Sequence, residues 1–240
     1  MKQATIHNMP ALDYMGTESL NTICSNLAFT GRDTKKIAIT SCSAGAGKSY
    51  LSMQIMRNMA NRGRRVVLVD ADLRRSFTIN HYDIRTDGEW MGLVHYLAGY
   101  CEIEDIIYET NLNGACFIPI GRDISNPIPL LDTSYFGALL DILAKNFDIV
   151  LIDTPPLGVV IDAADIAAKC DGIVFVVEYN KTRRRELAQT REQIAQSGCT
   201  ILGCVINQVT MDSIRTKRYY GRTYYNNYYK KPYSKEGQGK

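Results

Sequence analysis

Six short apolar runs recur along the chain, at residues 36–40 (KIAIT), 65–70 (RVVLVD), 115–120 (ACFIPI), 147–153 (FDIVLID), 172–178 (GIVFVVE) and 201–207 (ILGCVIN). The intervening stretches place apolar residues three and four apart, as in KSYLSMQIMRNMANRG, GLVHYLAG, SYFGALLDILAKN and KTRRRELAQTREQIAQSG. Period-2 or fully apolar runs predict strands, and the 3.6-residue pattern predicts helices. Strands that are apolar on both faces, each followed by enough chain for a crossover helix, predict a mostly parallel sheet with helices on both faces. In such an open α/β domain the ligand is expected at the carboxyl ends of the strands. Before the first run, Leu20, Ile23, Cys24, Leu27 and Ala28 have helical spacing and Gly31 supplies a stop. The pattern divides the chain into an N-terminal segment and helix (1–32), an α/β domain (33–212) and a tail (213–240).

The first predicted strand runs directly into SCSAGAGKSY, and the helix that follows carries Leu51, Ile55, Met56 and Met59 on one side. A strand, a glycine loop and a helix in that order make a P-loop. Gly45, Ala46 and Gly47 would turn their backbone N–H groups around phosphate oxygens. Lys48 would reach the β and γ phosphates, Ser49 would hold Mg²⁺, and Tyr50 follows in the first helical turn. Cys42 stands where the usual pattern has its first glycine. A plain glycine turn would leave unexplained a lysine at a helix start, where its charge is disfavoured unless an anion compensates it. The fold class is therefore that of a P-loop NTPase.

Two further strands end in carboxylates. VVLVDADLRR carries Asp70 and Asp72, and FDIVLIDTPP ends in Asp153 before two prolines and a glycine-containing loop, LGVVIDAAD. A carboxylate at a strand end beside a P-loop can hold the hydration shell of Mg²⁺, the Walker B role, for which Asp153 is the best placed. An aspartate there can also simply start a turn.

Composition changes the picture at one end only. The net charge of +3 hides a tail that carries eight Lys or Arg against one Glu from Ser213 onward, so that the tail is +7 and the rest −4. An acidic body argues against a general nucleic-acid binder. The tail holds RYYGRTYYNNYYKKPY, with seven tyrosines in sixteen residues: Tyr219, Tyr220, Tyr224, Tyr225, Tyr228, Tyr229 and Tyr233. Its composition lacks the aliphatic residues needed to offset ordering entropy, so a disordered tail is expected. The seven cysteines form no C-x-x-C pair and the three histidines no ligand spacing, so reduced thiols and no metal centre built on them are expected. Without an apolar run of about 18 residues or a signal-type start, a cytoplasmic location is expected.

The motifs SAGAGKS, VLVDADLR and IVLIDTPP, followed by the tyrosine cluster, resemble the cytoplasmic kinases of the bacterial tyrosine kinase family, from about residue 13 to the C terminus. The resemblance implies ATP and Mg²⁺ as cofactors and autophosphorylation of the seven tail tyrosines, in the control of capsular or exopolysaccharide synthesis and export. It implies an activating cytoplasmic segment of a membrane polysaccharide co-polymerase, which recruits the kinase to the inner face of the membrane, and a cognate tyrosine phosphatase. On matching positions it places Lys48 and Ser49 on the phosphates and metal, Asp70, Asp72 and Asp153 around the metal and the attacking hydroxyl, and Asn207 near the adenine. A tyrosine hydroxyl has a pKa near 10, so a carboxylate must help to take its proton. Asp70 is favoured as that base with Asp72 and Asp153 on the metal, although the first two could exchange roles, and Asn207 could equally form a turn. Family members often carry E-x-x-R-x-x-R in the first helix for ring assembly. Here Glu18 is kept but Asn21 and Cys24 replace the arginines, so self-association in trans is expected without that ring contact.

Phosphorylation adds roughly −1.5 to −2 per tyrosine, so four modified residues would nearly cancel the tail's charge. Two other functions compete. A MinD/ParA-like positioning ATPase has a signature lysine five residues before the P-loop lysine, where this chain has Ser43. A tail module stacking on polysaccharide or single-stranded nucleic acid would leave the P-loop idle.

Overall fold

The computed structural model describes residues 2–31, 33–74, 76–158 and 162–209. The chain divides into one unit of Met1–Asn207 and a second of Gln208–Lys240. The seven tail tyrosines lie outside the described residues.

Among the described residues nine strands join one sheet: β1 (Lys2–Ile6), β2 (Lys36–Ser41), β3 (Val66–Asp70), β4 (Ile84–Thr86), β5 (Tyr108–Thr110), β6 (Ala115–Ile118), β7 (Ile149–Asp153), β8 (Gly172–Glu178) and β9 (Ile201–Asn207). The helices are α1 (Tyr14–Ala28), α2 (Lys48–Asn61), α3 (Thr78–His81), α4 (Leu93–Leu97), α5 (Ile128–Leu131), α6 (Ser134–Asn146), α7 (Asp162–Ala167) and α8 (Arg184–Gln196). The sheet order is β4-β1-β5-β6-β3-β7-β2-β8-β9. From β6 to β9 every neighbour is parallel, whereas β4–β1 and β5–β6 pair antiparallel.

Alternation along each strand feeds two apolar layers. Leu68, Leu151, Ile37 and Ile39 pack with α1 and α2 on one face, while Val67, Val69, Val150 and Ile152 pack with α4 and α6 on the other. Ala38 and Phe175 meet α7 and α8 in a third cluster. Each fully buried Val, Leu or Ile contributes about 1.5–3 kcal/mol. A one-residue slip would exchange the two faces, so this packing fixes the register. The register in turn fixes the site, because Asp70 pairs directly with Asp153 across β3 and β7.

The six predicted strands and the four helical stretches that separate them are present, and α1 begins earlier than its apolar spacing required. Asp13 caps it, accepting a 2.7 Å hydrogen bond from the Gly16 N–H. The polar lead contains β1, whose residues alternate in exposure so that only Ala4 and Ile6 point inward. The loop after Asp153 contains α7, which begins with Asp162 in its first turn. No described helix is long and apolar enough to cross a membrane.

Candidate functional site

The glycine loop leaves β2 and enters α2 through Gly47, which has a left-handed φ of 89°, and Gly45 lies at 81°. Residues with a Cβ resist that conformation. Gly47 makes no side-chain cap, so the first N–H groups of α2 are not claimed by a capping side chain and suit an anion. Lys48 opens the helix and is buried, and the amide of Asn207, at the end of β9, donates to the Ala46 carbonyl at 2.9 Å. The predicted loop and the predicted adenine residue therefore meet, although they are 161 positions apart.

Cys42 does not need the freedom of the glycine it replaces. Among described residues other than glycine, positive φ occurs only at Asp83, Asn180 and Gln208. Its thiol is turned to α8, where the Thr190 hydroxyl donates to Cys42 Sγ at 3.4 Å. The close approach occurs instead at Gly158, where an added Cβ would stand 2.2 Å from the Cys42 carbonyl oxygen. The loop after β7 is drawn against the P-loop there, with the Leu157 N–H donating to the Ser41 carbonyl at 2.9 Å. Gly158→Ala is expected to cost about 1–3 kcal/mol and to weaken nucleotide binding with it. Thermal melts and nucleotide titrations check this; unchanged values in both would show that the two loops do not depend on this approach.

Asp70 and Asp153 are both almost fully buried, and side-chain alternation carries both onto the α2 face. Burial is the main cause that raises the pKa of each carboxyl above its ordinary range, with the charge of Asp72 adding to it at Asp70 and the charges of Asp70 and Asp72 at Asp153. Four neighbouring side chains oppose the rise, the Thr78 hydroxyl at Asp70 among them. Lys48 and the Ser49 hydroxyl favour ionised Asp153, and the Ser76 hydroxyl donates to Asp70 Oδ2. Asp72 is half-buried beside them. Arg74, the last residue of DADLR, forks onto the buried Asp162 at 2.6 and 3.1 Å and donates to the Ser125 carbonyl at 2.9 Å. This pair ties the acidic loop to the start of α7.

Asp70 Oδ1 and Asp153 Oδ1 are buried and have no hydrogen-bond partner among the described residues. Two half-satisfied carboxylates beside a serine hydroxyl fit a hard divalent cation, which takes oxygen ligands. No group of three or more His, Cys, Asp or Glu that could hold a metal occurs among the described residues. Phosphate oxygens and water would therefore complete the cation's shell, as is usual where Mg²⁺ accompanies a nucleotide.

The sequence reading missed Ser76, Arg74's partner Asp162, and Gly158. None carries a local motif, and the Arg74–Asp162 contact spans 88 positions. The only signal was the glycine itself, in the loop after the prolines.

A family model described as an AAA domain matches residues 34–198. The tyrosine-protein kinase CpsD of Streptococcus agalactiae is 38% identical over 204 residues, which cover 85% of this chain and 88% of that protein. The kinase domain of the Escherichia coli tyrosine kinase ETK matches with a TM-score of 0.74 and 26% identity, over 81% of this chain and 78% of that one. The septum site-determining protein MinD of Pyrococcus horikoshii, solved with Mg-ADP, has a TM-score of 0.64 at 23% identity, over 75% and 72% of the two chains. That likeness is one of fold alone. Together the fold and its glycine loop are those of a nucleotide-binding protein.

Proposed function

The chain belongs to the bacterial tyrosine-protein kinases, and from that premise we propose that it transfers the γ-phosphoryl group of ATP to tyrosines of its own tail, from Tyr219 to Tyr233, in a second copy. The observation that carries this reading is the in-register pair Asp70 and Asp153, buried beside the P-loop lysine.

The N–H groups of Gly45, Ala46 and Gly47 cradle the triphosphate, and Lys48 contacts its β and γ phosphates. Asn207 holds the loop and faces the base end of the nucleotide. Ser49, Asp72 and Asp153 would hold Mg²⁺, which when bound spreads the charge on the phosphate oxygens. A bond forms between the tyrosine oxygen and the γ phosphorus as the bond from that phosphorus to the β–γ bridging oxygen breaks, and ADP leaves. The phenolic proton passes to Asp70, whose raised pKa suits a base working near neutrality. Its Oδ1 is the atom left to receive it, since Ser76 occupies Oδ2.

The likeness to capsule-system kinases supports a role in capsular or exopolysaccharide synthesis. It also supports activation by a cytoplasmic segment of a membrane co-polymerase, location at the inner face of the membrane, and reversal by a tyrosine phosphatase. Self-association would not use the first helix as a charged contact. Cys24 is fully buried, and the Asn21 side chain accepts from Asn58 and Arg62 at 3.0 Å each.

Incubating the full chain and its activating segment with ATP and Mg²⁺ tests the reaction. Phosphotyrosine as the product supports it; free phosphate alone would indicate a positioning ATPase.

A further inference from the structure

Tyr82 has no part in the reaction as described, yet it stands on the same face of the sheet as the two carboxylates. It directly follows α3, in the segment that links the acidic loop to β4, and its ring belongs to the apolar layer shared by α2, β3 and β7. Its backbone is held from two sides. The Asn8 N–H donates to the Tyr82 carbonyl at 2.9 Å, and the Tyr82 N–H donates to the Thr78 carbonyl at 3.1 Å. The residue is 1% exposed, and its hydroxyl has no hydrogen-bond partner among the described residues.

A buried phenol in an apolar layer normally finds an acceptor, because leaving its hydroxyl unpaired costs free energy. The charged and titratable groups that bear on this hydroxyl are Tyr50 and Arg57 of α2 and Asp153 of β7; burial, with Tyr50 and Asp153, pushes its pKa up against the opposing charge of Arg57. A phenol, with an ordinary pKa near 10, is protonated at neutral pH and serves as a donor. Among the described residues, the other buried side-chain atoms without a partner are Asp70 Oδ1, Asp153 Oδ1 and Asn58 Oδ1. A donor lacking an acceptor thus lies in one layer with two carboxylates lacking donors.

We propose that Tyr82 is a positioning residue for the divalent cation, donating its hydroxyl hydrogen bond to the Asp153 carboxylate or to a water that the carboxylate and cation share. This rests on the assignment of Asp153 to the metal made above. Such outer-shell donors orient a metal-bound carboxylate, and their loss typically lowers metal affinity about 10- to 100-fold.

The test is Tyr82→Phe in the full chain, read by thermal melting without metal and by calorimetric titration of ADP with Mg²⁺ and with EDTA. Phenylalanine fills the same space and removes only the unpaired group. The metal-free melting temperature should stay level or rise, ADP affinity in EDTA should be unchanged, and the increment that Mg²⁺ adds should fall about tenfold or more. A merely structural tyrosine would give the opposite pattern. A lower metal-free melting temperature, or a Mg²⁺ increment equal to that of the wild type, overturns the proposal. Asp153→Asn in the same titration separates the two levels. If it abolishes the increment while Tyr82→Phe does not, only the role of Tyr82 falls. If it leaves the increment intact, the metal assignment falls and takes this inference with it.

Discussion

Asp153→Asn will make the metal-free protein more stable at neutral pH and at the same time remove its Mg²⁺-dependent binding of nucleotide. Both effects come from one buried carboxyl whose folded-state pKa lies above its ordinary value. For such a group the favourable contribution to stability is fully present below the unfolded value of 3.8. It is lost as pH rises through the elevated folded value, because the folded state then gives up a proton it had held more tightly. At neutral pH the unfolded chain ionises this group freely, while the folded chain must ionise it beside Asp70. An amide of the same shape avoids that cost, so a gain of about 1–3 kcal/mol is expected near pH 7, shrinking to nothing near pH 4. Denaturant melts across this range check it. A variant less stable than wild type at pH 7 would mean that Asp153 is tied into the fold rather than held ready for a cation. Phosphoryl transfer by the variant should fall at least about a thousandfold, since the charge on the transferred group would lose its counterion.

Lys48→Met is expected to have a comparable effect on transfer, about 10²- to 10⁴-fold, with little change in fold. Methionine keeps the apolar stem in the buried start of α2, and Lys48 forms no ion pair among the described residues. The ammonium does favour the ionised form of Asp153. Its removal should therefore weaken Mg²⁺-nucleotide binding as well as the chemical step. Matching far-UV circular dichroism spectra would establish that the fold is kept. A variant that still modified its tail at near wild-type rate would remove Lys48 from the site.

The candidate site residues were legible in the sequence because each carries a local signature. Gly45 to Ser49 form a strand-to-helix loop, and Asp70 and Asp153 each end a strand whose apolar residues declare it. The supporting layer has no such signature. Ser76 reaches Asp70 only because the chain turns back after DADLR, and Tyr82 reads as any core aromatic until its unpaired hydroxyl is seen. β1, β4 and β5 escaped for a related reason. β4 and β5 have three residues each, and β1 alternates around only two inward side chains, so each takes its strand identity from its neighbours. Cys42 stands where the usual pattern has its first glycine, but the backbone there needs no glycine, and the close approach that does need one is at Gly158, where two loops touch.

Tail phosphorylation is tested most directly by peptide mass spectrometry of the full chain after coexpression with its membrane activator, with Lys48→Met prepared alongside. Phosphate is expected on tyrosines between residues 219 and 233 in the wild type and none in the variant. An unmodified tail in a protein that converts ATP to ADP and free phosphate would contradict this expectation.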